Sequence, residues 1–342
     1  MRDRAADLLL DWYDRHARDL PWRARPGAPL PDPYHVWLSE VMLQQTTVAA
    51  VIPYFEKFTT RWPDVAALAA APEDEVMAAW AGLGYYSRAR NLVKAARELS
   101  RSGGFPTTEA ELRKLPGLGD YTAAAIAAIA FERRALVVDA NVERVIARLF
   151  AIEEPLPGAK KAIRAALDTI TPERRAGDFA QAMMDLGSSL CRARDAQCLL
   201  CPWQAICAAR EAGDPVRLPV KAAKKAKPTR AGTAFWIERD GAVWLVQRPG
   251  KGMLGGMRAL PDDGWSARGD GSGVAPVAGA WRAGGVVRHS FTHFHLEMGL
   301  AVHAGAKPVP AGDGEWWPLD RLDEAGLPTL FAKAAALALA ER

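Results

Sequence analysis

The sequence contains few cysteines and no long apolar run, and each absence excludes a class of protein. Only four cysteines occur in 342 residues, all between positions 191 and 207. Disulfides of a secreted domain would be spread along the chain, so this clustering favours a metal site. No stretch is long and apolar enough to span a bilayer, and charged residues are scattered through the first twenty positions. We therefore expect a cytoplasmic protein with neither a secretory leader nor a membrane anchor.

A strong net charge is also missing. The formal charge is +4, which permits binding to a polyanion without requiring it. The length is sufficient for about two domains. The charge therefore leaves nucleic acid as one candidate partner among others.

The sequence pattern changes twice along the chain. Residues 1–213 have helical periodicity broken by proline and glycine, which predicts eight to ten short helices, with starts expected at Thr108 and Thr171. Residues 214–231 are rich in lysine, arginine, proline and alanine, and we predict an interdomain linker there. Residues 232–342 contain short strand patterns, glycine-rich turns and a closing helix, which predicts an α+β domain.

The cysteines are spaced C-x6-C-x2-C-x5-C, which predicts one compact metal centre. Four thiolates from a single loop suit either zinc or a cubane iron–sulfur cluster. A zinc ribbon normally has two C-x2-C pairs and this chain has one, so the spacing favours iron–sulfur. The predicted ligands are Cys191, Cys198, Cys201 and Cys207.

A glycine-rich turn joins two helical stretches at residues 115–120, LPGLGD. Gly117 and Gly119 permit a tight turn whose backbone amides face outward at the start of the next helix, where amides bind phosphate. The same segment is also typical of a plain helix junction. Twenty residues after Gly119, Asp139 precedes a helix that we expect to begin at Asn141. An aspartate at that position is well suited to cap the helix.

The hairpin, the aspartate and the cysteine loop, in that order, resemble the helix–hairpin–helix DNA glycosylases of the endonuclease III superfamily. The similarity spans about residues 5–210. It implies an all-α glycosylase domain with the hairpin at about 112–131 and one [4Fe–4S] cluster in the loop 191–207. In that superfamily the aspartate is essential for base excision, so Asp139 is expected both to cap its helix and to act in catalysis.

Two positions distinguish members of this superfamily. Bifunctional members have a lysine immediately before Thr-Ala in the second hairpin helix, and its amine attacks the sugar as a Schiff-base nucleophile. Tyr121 occupies this position here, and a phenol cannot form an imine, so we predict hydrolysis without strand cleavage. The second position is Glu40, in segment 39–46, SEVMLQQT, on a predicted helical face with apolar residues and Thr47. A carboxyl group there should have a raised pKa and act as an acid.

Segment 39–46 and segment 20–23, LPWR, closely resemble the MutY-type adenine DNA glycosylases. The resemblance implies that Glu40 protonates adenine, that Asp139 stabilises the sugar cation or captures it, and that Tyr121 organises the pair. It further implies an adenine pocket at Trp22, Arg23 and Asp185, a residue that enters the duplex at Gln45, and a wedge against the opposite base at Tyr85. Position 185 is often glutamate in that family, so this chain has a shorter side chain there.

Residues 232–342 resemble the carboxy-terminal domain of the same family, which has a Nudix-like fold. The matching segments are 246–249 (VQRP), 252–257 (GMLGGM) and 289–293 (HSFTH). A Nudix hydrolase needs a glutamate-rich helix to hold magnesium, and the sequence has no such run, so nucleotide hydrolysis is not expected. The resemblance instead implies 8-oxoguanine recognition by Phe291, Thr292 and His293, with threonine in place of the family's serine.

The sequence therefore predicts a monomeric, monofunctional glycosylase that removes adenine mispaired with 8-oxoguanine or guanine in double-stranded DNA. Two alternatives stay open. One is a superfamily glycosylase with another base preference, such as thymine or an oxidised pyrimidine. The other is a non-catalytic iron–sulfur DNA-binding protein, which would need neither Glu40 nor Asp139.

Overall fold

A computed structural model of the chain describes residues 4–222, 226–249, 253–305 and 313–340. The chain forms two compact units, Met1–Ala223 and Lys224–Arg342. Lys224 and Lys225 of the predicted linker and Gly252 of segment 252–257 lie outside the described residues. Within the described ranges, no helix is both long enough and apolar enough to cross a membrane.

The first unit is helical, with twelve α-helices in its described part. This is more than the predicted eight to ten because two of them, α7 and α12, are only four residues long. The helices are α1 (Ala5–His16), α2 (Pro33–Leu43), α3 (Val48–Arg61), α4 (Val65–Ala70), α5 (Glu73–Trp80), α6 (Ser87–Ser102), α7 (Glu109–Leu112), α8 (Asp120–Phe131), α9 (Ala140–Leu149), α10 (Lys160–Asp168), α11 (Ala176–Ser189) and α12 (Ala208–Glu211).

One of the two predicted helix starts is correct. Thr108 caps α7 by accepting a hydrogen bond from the Glu111 backbone N–H. Thr171 does not begin a helix, because its hydroxyl donates to the carbonyl of Leu167 at 2.9 Å. A hydroxyl bonded back to the preceding helix is not available as a cap.

The core of the first unit consists of two hydrophobic clusters. The first cluster joins helices α2 to α8. The second cluster joins α1, α9, α10 and α11 with Trp203. Helix α8 is alanine-rich and buried around most of its circumference, as expected of a helix that is apolar on all sides. It packs on both α2 and α11, so residues of the two clusters meet there.

The second unit contains two small sheets, one 3₁₀-helix (Leu319–Ala325) and one α-helix in its described part. The first sheet has the strand order β1-β6-β5, with β1 parallel and β5 antiparallel to β6; in the second sheet, β2, β4 and β7 each pair antiparallel with β3. The elements are β1 (Thr229–Trp236), β2 (Glu238–Arg239), β3 (Ala242–Gln247), β4 (Arg258–Ala259), β5 (Trp281–Ser290), β6 (His295–His303), β7 (Gly314–Pro318) and α13 (Thr329–Ala340). The hydrophobic core of this unit packs α13 against the strands.

The linker predicted at residues 214–231 is shorter in the structure. Leu218 is only 1% exposed, and its carbonyl accepts a hydrogen bond from the buried guanidinium of Arg148 at 2.9 Å. The Leu156 backbone N–H donates to the carbonyl of Val220 at 2.9 Å. The first half of the predicted linker therefore belongs to the helical unit, and strand β1 already begins at Thr229.

Candidate active site

A cavity of about 210 Å³ lies where α2 and α8 meet α9 and α11. Its apolar lining residues belong to the first hydrophobic cluster or pack against it. Helices α9 and α11, whose buried apolar residues lie mainly in the second cluster, supply further polar lining residues, among them Asn141, and Asp139 directly precedes α9. An apolar cavity of about 150 Å³ is known to hold benzene, so this space can admit a somewhat larger planar ring. The lining residues are Arg18, Leu20, Trp22, Arg23, Val36, Ser39, Glu40, Leu43, Thr46, Val48, Tyr121, Ile129, Asp139, Asn141, Gln181, Met184 and Ser188.

Helix α2 places Glu40 in this wall. Asp32 caps the helix by accepting a hydrogen bond from a backbone N–H in its first turn, and Pro33 occupies the first helical position. The helix ends at Leu43, so Thr47 does not share its face as predicted and instead caps α3. Most of the helix is nevertheless buried, and this leaves Glu40 as a carboxyl group in an apolar wall.

Glu40 has the electrostatic setting of an acid. The residue is 6% exposed. Burial raises the pKa of its carboxyl group to about 7, a hydrogen bond from Tyr121 and the charge of Arg23 lower it, and the charge of Asp139 raises it. A group with a pKa near 7 can both hold and release a proton at neutral pH.

Tyr121 is the second residue of α8 and lies against Glu40. Its hydroxyl donates a hydrogen bond to Sδ of Met184 at 3.6 Å, and its interaction with the Glu40 carboxyl group lowers the pKa of that group. Burial, followed by the charges of Glu40 and Asp139, raises the pKa of Tyr121 well above its usual value. The hydroxyl therefore keeps its proton and acts as a donor.

Asp139 caps α9, as the sequence predicted. Its Oδ1 accepts a hydrogen bond from the Val142 backbone N–H at 2.7 Å, and its Oδ2 accepts one from the Asn141 side-chain amide at 3.0 Å. The helix begins at Ala140, one residue before the predicted start. Both carboxylate oxygens are thus fixed by the same helix turn while the residue lines the cavity.

Asn141 and Arg144 belong to the site but were missed by the sequence analysis. Arg144 donates to the Asn141 side-chain carbonyl at 2.8 Å, to the backbone carbonyl of Gly187 at 2.7 Å and to that of Cys191 at 2.8 Å. These contacts connect Asp139, through Asn141, to the chain around the first cysteine. The sequence contains one signal that could have identified them: both are polar residues in the first turns of the predicted helix, two and five positions after Asp139.

Asp185 lies behind the cavity and is not among its lining residues. Its carboxylate is 1% exposed and forms ion pairs with Arg18 at 2.6 Å and Arg23 at 2.7 Å. Arg18, Arg23 and Trp22 do line the cavity. Of the three residues predicted for the pocket, Trp22 and Arg23 are therefore in its wall, and Asp185 holds the arginines in place.

The four predicted metal ligands, Cys191, Cys198, Cys201 and Cys207, line a second cavity of about 30 Å³. The described residues contain no group of three or more His, Cys, Asp or Glu side chains arranged to hold a metal ion. The structure nevertheless brings the four predicted ligands to one shared space.

Comparison with known proteins places the chain in a family. The HhH-GPD superfamily of base excision DNA repair proteins matches residues 38–172, and the Nudix domain family matches residues 233–337. Human adenine DNA glycosylase is 33% identical, in an alignment that covers 95% of this chain and 72% of the human protein. This chain belongs to the adenine DNA glycosylase family. The predicted family, enzyme class and two-domain fold class are thereby confirmed.

Bacterial members of the family are similar to this chain as well. The adenine DNA glycosylase of Buchnera aphidicola from Acyrthosiphon pisum is 36% identical, with 70% of this chain and 69% of the relative covered. The protein of that name from Mycolicibacterium smegmatis is 39% identical, with 60% and 70% covered. Members of the adenine DNA glycosylase family are hydrolases of N-glycosyl bonds.

Solved structures agree with the helical fold. A thermostable thymine-DNA glycosylase is 29% identical, with a TM-score of 0.56 over 62% of this chain and 97% of that one. Endonuclease III in a non-covalent DNA complex is 24% identical, with a TM-score of 0.51 over 61% and 94%, and shares the fold. Each similarity thus extends over about three fifths of this adenine DNA glycosylase family member.

Gln45 and Tyr85, the residues predicted to enter DNA, lie on exposed loops of this family member. Their backbone φ angles are 58° and 48°, a left-handed conformation that is uncommon for residues other than glycine. Tyr85 is 53% exposed, and Gln45 is exposed as well. Strained backbone of this kind often occurs where a loop is held for function. Contact of either residue with DNA stays a prediction.

The hairpin between α7 and α8 requires glycine at only one of its two predicted positions. Gly117 has a φ of 80°, and a Cβ atom there would lie 2.8 Å from Cβ of Asn91. Gly119 has an ordinary φ of −83°, and a Cβ atom there would meet no atom within 4 Å. The open space at Gly119 leaves the backbone at the start of α8 accessible.

The predicted recognition residues of the Nudix-like unit lie at the tip of the β5–β6 hairpin. Phe291 stacks on Phe294 with ring centroids 4.8 Å apart, and its backbone N–H donates to the carbonyl of Phe294 at 2.9 Å. Thr292 and His293 between them are exposed. The aromatic pair thus fixes the turn, and the two polar side chains remain available. Their contact with 8-oxoguanine stays a prediction.

Proposed function

We propose that this chain removes adenine from DNA in which adenine is mispaired with 8-oxoguanine or guanine. The observation that carries the proposal is one cavity of about 210 Å³ lined by both Glu40 and Asp139. Membership of the adenine DNA glycosylase family supports adenine as the base. A non-catalytic DNA-binding protein would not need an acid with a pKa near 7 beside a fixed carboxylate.

The chemistry proposed for this cavity breaks the bond between adenine N9 and the sugar carbon C1′. Glu40 donates its proton to N7, so the bonding electron pair leaves with a neutral base. The Asp139 carboxylate stabilises the positive charge that develops on the sugar, as in glycoside hydrolysis by two carboxyl groups. Water adds to C1′, and its proton returns to Glu40. The products are free adenine and an abasic site.

Tyr121 and the ion pairs behind the cavity support these steps. The Tyr121 hydroxyl orients the Glu40 carboxyl group. Asp185 fixes Arg23 in the wall, where a planar base between Trp22 and Arg23 would be held in place. A tyrosine at position 121 provides no amine, so the sugar–phosphate strand should stay intact until alkali is added.

Access to the cavity requires the adenine to leave the base stack, which costs a few kcal/mol and costs least at a mispair. We propose that Gln45 fills the space in the duplex and that Tyr85 wedges against the opposite base. Thr292 and His293 would then contact 8-oxoguanine, whose C8 carbonyl and N7 proton distinguish it from guanine. Backbone amides at the hairpin, around Gly117 and Gly119, would hold phosphates.

The cysteine cavity would hold one [4Fe–4S] cluster through Cys191, Cys198, Cys201 and Cys207. When bound, such a cluster would bring iron and sulfide and would link the four cysteine thiolates to one another. The chain's own arginines, Arg144 and Arg148, hold the carbonyls around Cys191. Brown colour, broad visible absorbance and equal iron and sulfide contents would support this assignment, and zinc in a colourless protein would overturn it.

A glycosylase assay tests the proposed function. Duplexes with adenine opposite 8-oxoguanine, guanine or thymine are incubated with excess protein, and strands are cut with alkali. We expect the fastest abasic-site formation opposite 8-oxoguanine and no strand cut without alkali. The rate of adenine release should fall by more than about a hundredfold in each of the variants Glu40→Gln and Asp139→Asn.

Asp64→Asn is the matched control for Asp139→Asn. Asp64 also caps a helix, by accepting from the Ala67 backbone N–H at 2.8 Å, but it is exposed and outside the cavity. We expect this variant to keep the wild-type rate. Equal activity of Asp139→Asn and wild type, or release of thymine in place of adenine, would refute the proposal.

A further inference from the structure

Arg88 is a buried arginine for which the proposed chemistry has no use. It is 8% exposed and lies in the first turn of α6. Its Nη1 donates to the carbonyls of Val41 and Met42, each at 2.9 Å. These carbonyls belong to the last turn of α2, where a positive charge is favoured by the helix dipole.

The other amino group of Arg88 reaches a different loop. Nη2 donates to the carbonyl of Leu83 at 3.0 Å and to that of Gly84 at 3.3 Å, and it also contacts the hydroxyl of Thr46 at 3.3 Å. The guanidinium also lies 5.6 Å from the ring centre of Tyr85. One side chain therefore holds both the segment after α2 and the turn before α6.

Arg88 has no carboxylate partner among the described ion pairs. Burial lowers its pKa, and its Nε atom has no hydrogen-bond partner in the described structure. A buried cation satisfied only by neutral oxygens is costly compared with an apolar residue of the same size. Its presence is explained if the two segments must keep one fixed arrangement.

The two segments that Arg88 joins are those that present Gln45 and Tyr85. Gln45 directly precedes Thr46, and Tyr85 directly follows Gly84. Both residues have the left-handed backbone conformation, which requires support from surrounding contacts. Arg88 bonds to a neighbour of each of them.

We propose that Arg88 is a positioning residue that holds the Gln45 and Tyr85 loops in one arrangement, so that both enter the duplex together and the adenine is extruded. The proposal rests on the proposed function, because that function has these two residues enter DNA. The planar guanidinium has a fixed fork of donors, whereas a lysine ammonium is a single point of charge. Arg88→Lys keeps the charge and should release one of the loops.

Base extrusion is the measurement that tests this role. A duplex with 2-aminopurine beside the target adenine, opposite 8-oxoguanine, is mixed with excess protein, and fluorescence is followed in stopped flow. We expect Arg88→Lys to slow the extrusion signal roughly ten- to hundredfold, because small displacements of positioned groups have effects of that size. Loss of an ordinary core contact should not have this effect.

Leu99→Ala is the control for lost stability. Leu99 is fully buried on the same helix, three turns beyond Arg88. Thermal unfolding is measured for both variants, and extrusion is measured at a temperature where both are folded. An equal slowing of extrusion in Leu99→Ala would overturn the specific role of Arg88.

A comparison in a second background isolates the two loops. Arg88→Lys is combined with Gln45→Ala and Tyr85→Ala. If Arg88 acts through these residues, its substitution should slow extrusion less than about threefold in that background. The same factor in both backgrounds, or wild-type extrusion by Arg88→Lys, would overturn the proposal, as would the absence of any extrusion signal in the wild type. Extrusion is read without cleavage, so a wild type that extrudes but releases no adenine would refute only the proposed function.

Discussion

The side-chain amide of Asn141 lies 3.0 Å from Oδ2 of Asp139, and Arg144 in turn holds the carbonyl oxygen of Asn141 at 2.8 Å. The aspartate in the cavity is therefore oriented by a residue whose own orientation is set from outside the cavity. Because the Arg144 guanidinium can only donate, it faces the oxygen of the Asn141 amide, and the N–H₂ group of that amide then faces Asp139.

Replacement of Asn141 should reduce catalysis more than folding. We expect Asn141→Ala to slow adenine release roughly ten- to hundredfold, because the Asp139 carboxylate loses one of its two orienting bonds. Single-turnover rates measure the loss, and DNA affinity and the thermal midpoint should stay near wild type. A full rate in Asn141→Ala would show that the cap bond from Val142 alone is sufficient.

The pH dependence of adenine release should follow Glu40. Burial raises the pKa of this group to about 7, and the proposed acid must carry its proton. The rate should therefore be near its plateau below about pH 6 and fall about tenfold per pH unit above about 8. Single-turnover rates at constant ionic strength check this profile. A rate that rises with pH through neutrality would indicate that Glu40 acts as a general base and not as a general acid.

Glu40 should also make the fold less stable in alkali. Its pKa is about 7 in the folded chain against 4.5 for the free side chain, so the folded state binds the proton more tightly. This contribution is fully present below pH 4.5 and is lost as pH rises through 7, and the difference corresponds to about 3 kcal/mol. Glu40→Gln should therefore gain stability over wild type at pH 8 and little at pH 5, measured by urea unfolding. Glu56→Gln, an exposed position on α3, should show no such gain.

Removal of the charge on Asp185 should be strongly destabilising. Asp185→Asn leaves two arginines without their buried partner, and breaking such a pair costs about 3–5 kcal/mol. Asp195→Asn breaks an ion pair with Arg192 that is largely exposed and should cost less than about 1 kcal/mol. Chemical unfolding of the two variants provides the comparison. Similar losses would mean that the arginines find other partners.

The two hairpin glycines should differ in their tolerance of alanine. Gly117→Ala forces a side chain into a left-handed conformation and against Asn91, so a loss of about 1–3 kcal/mol is expected. Gly119→Ala meets neither obstacle and should leave the thermal midpoint unchanged. Equal midpoints for the two variants would show that the turn rearranges freely.

The local parts of the site were visible in the sequence. Glu40, Tyr121 and Asp139 each belong to a short motif, and the structure places all three around one cavity. The helix cap at Asp139 follows from a rule that involves only neighbouring residues. The cysteine loop is similarly local, because its four ligands lie within one short segment.

The parts that the sequence did not show depend on distant pairs. The contact between Asp185 and Arg23 joins positions 162 residues apart, and the helical periodicity of the sequence does not predict such a pairing. Strand β5 was also missed, since its two adjacent glycines, Gly284 and Gly285, lie at a register shift and its exposed residues do not alternate with buried ones. The predicted linker was too long, because the basic composition of this segment gives no sign that Leu218 is buried.

The position of the cavity at the boundary of two hydrophobic clusters has a consequence for how the protein loses function. The acid comes from one half of the helical unit and the aspartate from the other, so their separation depends on how firmly the halves dock. Mild denaturation that loosens the contact between these halves would abolish adenine release while every helix is still intact. Loss of glycosylase activity should therefore detect the loosening of this contact at a lower denaturant concentration than circular dichroism does.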